Sequence, residues 1–122
     1  VLIKDNHLVA LRSCEVRLGE AVRKARQHAP RKLKIEVEVE SVEEAMEALS
    51  ASADIVMLDN MKLEDMRKVV KLVQGRALLE ASGGVTLDNV RSVAETGVDL
   101  ISVGALTHSA KALDISLELE PG

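Results

Sequence analysis

Short apolar runs that read as strands alternate along the whole chain with longer stretches whose apolar residues recur every three to four positions. This alternation limits the fold more than any other feature, because strands joined by crossover helices lie parallel and are covered by those helices. Residues 1–4 read as the end of a strand. The next segment carries Leu18, Ala21, Val22 and Ala25 on one helical face and stops at Pro30. Residues 33–40 form the second strand. Ser41 then caps a helix, Glu44 completes a capping box, and Val42, Ala45, Met46 and Leu49 make the buried stripe.

Residues 54–59 form a nearly continuous apolar strand, followed by a helix through Leu63, Met66, Val69, Val70 and Val73 that ends at Gly75. Residues 77–81 are a fourth strand and Gly83-Gly84 a turn. Thr86 is read as a helix cap, with Leu87, Val90, Val93 and Ala94 facing inward. A fifth strand covers 100–103, and the alternating tail at 112–120 suggests one more, half-exposed strand. A shift of 45 residues lays Ser41 on Thr86, Glu43 on Asp88 and Asp54 on Asp99, with apolar positions following, so one βα unit is used twice. The expected architecture is α/β: parallel βα units of an incomplete (β/α) barrel, about five parallel strands plus a carboxyl-terminal strand, in a single partial domain over 1–122.

The bulk properties exclude several classes of function. A formal charge of −4 does not suit a surface that gathers nucleic acid by neutralising phosphates. No apolar run is long enough to span a bilayer, and the first residues lack the form of a signal peptide, which leads to the expectation of a cytoplasmic protein. The single cysteine, Cys14, rules out an internal disulfide, and no Cys/His spacing resembles a zinc site. Phe, Tyr and Trp are all absent, so the core is built from aliphatic residues and methionine.

The residues able to do chemistry gather at the carboxyl ends of the expected strands: Lys4, Glu38, Asp59, Ser82-Gly83-Gly84 and Gly104. In barrels that face carries the active site. The run Ile35-Glu36-Val37-Glu38-Val39-Glu40 is unusual for a strand covered on both faces, since every second residue is acidic. Either the acids line a barrel interior, with Lys4 on the neighbouring strand as partner, or this is an edge strand with one wet face. Gly83-Gly84 and Gly104 follow consecutive strands, and each is followed by a threonine able to cap a helix. Such turns let a phosphate approach backbone N–H groups, although a Gly-Gly turn also serves as a simple turn. His108, after Thr107, suits either a phosphate contact or an exposed turn.

Taken together, Val1-Leu2-Ile3-Lys4-Asp5-Asn6-His7, Glu36-Val37-Glu38-Val39, Met57-Leu58-Asp59-Asn60, Glu80-Ala81-Ser82-Gly83-Gly84 and Ser102-Val103-Gly104-Ala105-Leu106-Thr107-His108-Ser109 resemble quinolinate phosphoribosyltransferase, in order and across essentially the whole chain. The resemblance implies a magnesium-dependent enzyme. It joins quinolinate to phosphoribosyl pyrophosphate with loss of carbon dioxide, yielding nicotinate mononucleotide and pyrophosphate. It also implies an incomplete barrel packed with an amino-terminal domain in a dimer, that domain and the first barrel strands lying outside this sequence.

Carried over by position, Lys4 faces the substrate, Glu38 and Asp59 hold the ribose hydroxyls and Mg2+, and Ser82, Gly83, Gly104 and His108 hold phosphate. Residues 11–17 depart from the family, whose corresponding loop is shorter and contains glycine. The alternative from another class is a non-catalytic half-barrel scaffold that dimerises through its inner sheet and retains weak affinity for sugar phosphates. A different phosphosugar enzyme on a related barrel would suit the glycines but leave Lys4-Asp5-Asn6-His7 unexplained.

Overall fold

The computed structural model describes residues 1–4 and 17–104. Their order is β1 (Leu2–Ile3), α1 (Leu18–His28), β2 (Glu36–Val39), α2 (Val42–Ser50), β3 (Ile55–Asp59), α3 (Leu63–Val73), β4 (Leu78–Ser82), α4 (Val90–Ala94) and β5 (Leu100–Ile101). The five strands make one all-parallel sheet in the order β1-β2-β3-β4-β5. The expected strand at 112–120, the loop at 11–16, Cys14 and His108 lie outside the described residues.

The period-two pattern of the strands decides what each face meets. Val37 and Val39, Val56 and Leu58, and Leu79 and Ala81 are buried against the helices, where they join Val22, Ala45, Ala48, Met66, Val69 and Val73. Each large aliphatic side chain taken fully out of water contributes about 1.5–3 kcal/mol, so this row outweighs any single polar contact in the sheet. The alternating residues Glu36, Glu38, Ile55, Met57, Asp59, Glu80 and Ser82 occupy the other face and are only half-buried. Leu2, Leu78 and Leu100 on that face are exposed. The acidic strand therefore has its carboxylates on the open face and its valines on the helices.

Local chemistry sets the helix ends. Ser41 Oγ accepts from the Glu44 N–H at 3.2 Å, and the Glu44 carboxylate accepts from the Glu40 N–H at 3.0 Å, one residue before the cap. Arg17, the N-cap of α1, makes no side-chain cap, and the Gly19 N–H instead donates to Glu47 Oε1 of α2 at 2.9 Å. That bond ties α1 to its neighbour. At the amino end of the sheet, Asp54 Oδ2 accepts from the Ile35 N–H at 2.7 Å while the Asp54 N–H donates to Ile35 O. Asp99 treats Leu79 identically, with its Oδ2 accepting at 2.8 Å and its N–H donating to Leu79 O. The two aspartates related by the 45-residue repeat thus share one task, fastening a loop to the start of the preceding strand.

Three expectations are corrected. The second strand begins at Glu36 and not at residue 33, because Leu33 is exposed and its N–H closes a turn onto Pro30. The helix after β3 ends at Val73, and Gln74 takes the left-handed conformation ahead of Gly75. Thr86 caps no helix. Its N–H donates to Asn89 Oδ1, Asn89 Nδ2 donates to Gly84 O, and this closed turn delays α4 to Val90. Leu87 is consequently 75% exposed and Ala94 also faces solvent, leaving Val93 as the buried residue of that short helix.

Candidate functional site

Because all five strands run in one direction, their carboxyl ends form one rim. Ile3 pairs with Val37, which sets Lys4 alongside Glu38. Glu38 pairs with Met57, so Asp59 lies two residues further along the adjacent strand on the same face. Asp59 pairs with Ser82, the last residue of β4. Gly83 and Gly84 follow at once, and Gly104 comes three residues after β5. Lys4, Glu38, Asp59, Ser82 and Gly83 are therefore neighbours on the open face or its edge, and Gly104 stands on the next strand end. Lys4 and Gly104 are exposed, and Asp59, Ser82 and Gly83 half-buried. Glu38 is also half-buried, with its Oε2 shut off from solvent.

The glycines differ in what requires them. At Gly83, φ is +75°, and a Cβ there would sit 2.6 Å from Asp59 Oδ1 and 2.7 Å from Asn60 Cγ and Nδ2. At Gly104 an added Cβ meets nothing within 4 Å among the described residues. Packing thus demands a glycine at position 83. The expected support from a helix start after Gly83-Gly84 is absent, since the Thr86–Asn89 turn intervenes. A cleft of about 280 Å³ beside Gly83 is lined by Asn60, Met61, Met66, Val85 and Val93, and neither Glu38 nor Asp59 lines it.

The open face is acidic. Burial raises the Glu36 carboxyl above its ordinary value, and the charge of Glu80 and a hydrogen bond with it push in the same direction. Ser102 Oγ donates to Glu80 Oε1 from β5's carboxyl end. The Glu36–Glu80–Ser102 chain adds a contact on this face that the run at 35–40 alone does not announce. The signal that could have found it is the spacing of Glu80, which falls in the same alternating register as Ser82 and so on the same face as Glu36.

A second unanticipated feature is Asn60. It takes the left-handed conformation with φ of 49°, its N–H donates to Ser82 O at 3.0 Å, and its Nδ2 donates to Asp59 Oδ2 at 3.2 Å. Asparagine is among the few residues that adopt this backbone readily, so Asp59-Asn60 could have been read as a strand end followed by a turn.

Among the described residues no group of three or more His, Cys, Asp or Glu side chains is placed to hold a metal ion. Glu38 and Asp59 offer two carboxylates on adjacent strands. That donor set fits a Mg2+ ion bound through one or two carboxylates with the rest of its shell from water and substrate oxygens, not an all-protein cage.

An all-parallel α/β sheet with a polar rim at its carboxyl ends is the architecture of the barrel-type α/β folds. Within that class the sequence matches the family described as quinolinate phosphoribosyl transferase, C-terminal domain, over residues 1–118, and the chain belongs to that family. The nicotinate-nucleotide pyrophosphorylase (carboxylating) of Rattus norvegicus is 48% identical over 122 residues, covering 98% of this chain and 40% of its own length. A probable enzyme of the same name from Bacillus subtilis is 44% identical over 119 residues, with the same coverage. The structure of the nicotinate-nucleotide pyrophosphorylase from Francisella tularensis superimposes with a TM-score of 0.80 at 43% identity, covering 96% of this chain and 40% of that one. This chain thus spans about 40% of the length of the curated relatives it matches.

Proposed function

We propose that residues 1–122 are a partial α/β-barrel unit that supplies the phosphoribosyl side of a quinolinate phosphoribosyltransferase site. The reaction transfers the phosphoribosyl group of phosphoribosyl pyrophosphate to the ring nitrogen of quinolinate, with release of pyrophosphate and carbon dioxide. The observation that carries this reading is the gathering of Lys4, Glu38, Asp59, Ser82 and Gly83 at one rim in a chain of this family.

Each residue has a role its chemistry suits. Glu38 and Asp59 are fixed acceptors for the ribose hydroxyls, and their charge lowers the energy of the positive ribose centre that develops as the bond to pyrophosphate breaks. Lys4, exposed beside them, balances the carboxylates of quinolinate. Ser82 and the turn at Gly83 hold the 5′-phosphate, joined by Gly104 on the next strand end and by His108. Mg2+ held by Glu38 and Asp59 would neutralise the pyrophosphate leaving group. Dimerisation and a cytoplasmic setting belong to this proposal; no described helix is long and apolar enough to cross a membrane.

The test uses the complete protein that carries this sequence, supplied with both substrates and magnesium, and follows nicotinate mononucleotide. Glu38→Gln and Asp59→Asn should each lower kcat/KM by at least about 100-fold while leaving the unfolding midpoint nearly unchanged. No product from the parent protein refutes the reading. Equal losses of activity and stability would instead make the carboxylates structural. Exposed Leu2, Leu78 and Leu100 on the open face favour, as a second reading, a scaffold that self-associates there. A parent that forms a stable dimer but binds no phosphoribosyl pyrophosphate would decide for it.

A further inference from the structure

We infer that Asn60 is a positioning residue that aims the Asp59 carboxylate into the rim, and that Gly83 is a glycine chiefly to leave room for that Asp59–Asn60 pair. This rests on the proposed function, which gives Asp59 its contact with the ribose. Asp59 ends β3, where a short side chain could take several directions. Two contacts narrow the choice. Asn60 Nδ2 donates to Oδ2 at 3.2 Å, and the other oxygen, Oδ1, lies over the Gly83 Cα, where any Cβ would come within 2.6 Å.

The backbone holds Asn60 in turn. It takes a left-handed φ of 49°, and its N–H bond to Ser82 O at 3.0 Å locks the end of β3 to the residue that precedes Gly83. Carboxylate, amide and glycine therefore form one unit across two strands. A side chain at position 83 would have to displace either Asp59 or Asn60, and the φ of +75° there would strain it as well.

Substitution at 60 separates the parts of this unit. Asn60→Gly keeps the left-handed backbone accessible and removes only the amide. Asn60→Asp keeps the shape and replaces the donor with a second acceptor that repels Asp59. In the complete protein, both variants should keep the parent's circular dichroism and unfolding midpoint. Both should weaken binding of the Mg2+ complex of phosphoribosyl pyrophosphate by about 10- to 100-fold, the usual effect of removing a group that orients a ligand-binding carboxylate. The KM for quinolinate should move far less.

A variant pair that binds and turns over like the parent overturns the inference. A parent that neither binds nor turns over fails the proposed function instead, and the positioning claim is then decided by a crystal structure of Asn60→Gly. Asp59 spread over more than one rotamer supports the claim, and a single unchanged rotamer overturns it.

Discussion

Asp54 offers a stability test remote from the rim. Its Oδ2 accepts both from the N–H of Ile35, a fully buried residue, at 2.7 Å and from the Arg26 guanidinium. A hydrogen bond from a backbone donor to a charged acceptor is worth about 1.5–3 kcal/mol, and truncating the acceptor leaves the donor unsatisfied. The ion pair is partly exposed, at 35% and 36% for the two side chains, so solvent screening limits it to at most about 1 kcal/mol. Asp54→Ala should therefore cost about 2–3 kcal/mol. With a urea dependence of about 1–3 kcal/mol per molar, the unfolding midpoint should fall by roughly 1 M.

Asp54→Asn, which keeps an acceptor, should lose about half as much, and Asp99→Ala should lose a comparable amount through Leu79. Desolvation alone would raise the Asp54 carboxyl, but the Ile35 N–H and Arg26 outweigh it and hold it below its ordinary 3.8. Its contribution is thus complete above that value and disappears as pH falls through the lowered one. The gap between parent and Asp54→Ala should narrow only below about pH 4. Urea titrations of the complete protein at pH 7 and pH 3 measure both effects. A midpoint shift under about 0.3 M at pH 7, or a gap that does not narrow in acid, would refute this reasoning.

Two other substitutions probe the fold. Glu36→Gln should stabilise the protein slightly at pH 7 by relieving burial of a charge and repulsion from Glu80. Because the Glu36 carboxyl is raised, the parent is at no disadvantage below its ordinary value of 4.5, so the gain should appear only as pH rises through the raised one, in paired urea titrations. Ser41→Ala removes the acceptor for the Glu44 N–H and should cost about 1 kcal/mol in the same titration, with substrate binding unchanged.

The parallel sheet was legible because strands and helices bury residues with different periods, and both periods are plain in 36–39, 42–50, 55–59 and 63–73. The repeat was legible too, and Asp54 and Asp99 show why it persists: each fastens the start of a strand. Illegible were features decided by competition between local bonds. Thr86 had a cap residue's chemistry, yet Asn89 supplied an acceptor for its N–H and a donor for Gly84 O, so a turn formed where a helix was expected.

At the rim, the sequence pointed to Lys4, Glu38, Asp59, Ser82, Gly83 and Gly104 through their places at strand ends. It could not reveal that Glu36 meets Glu80 across an intervening strand, since that depends on register and side-chain reach. Nor could a lone Asn after Asp59 disclose a contact with a glycine 23 positions on.

The most direct measurement is a crystal structure of the complete protein with phosphoribosyl pyrophosphate and Mg2+. The account predicts ribose hydroxyls bonded to Glu38 and Asp59, with the 5′-phosphate on Ser82, Gly83 and Gly104. A sugar phosphate bound at the amino ends of the strands, or a phosphate at the rim with its ribose turned away from both carboxylates, would contradict it.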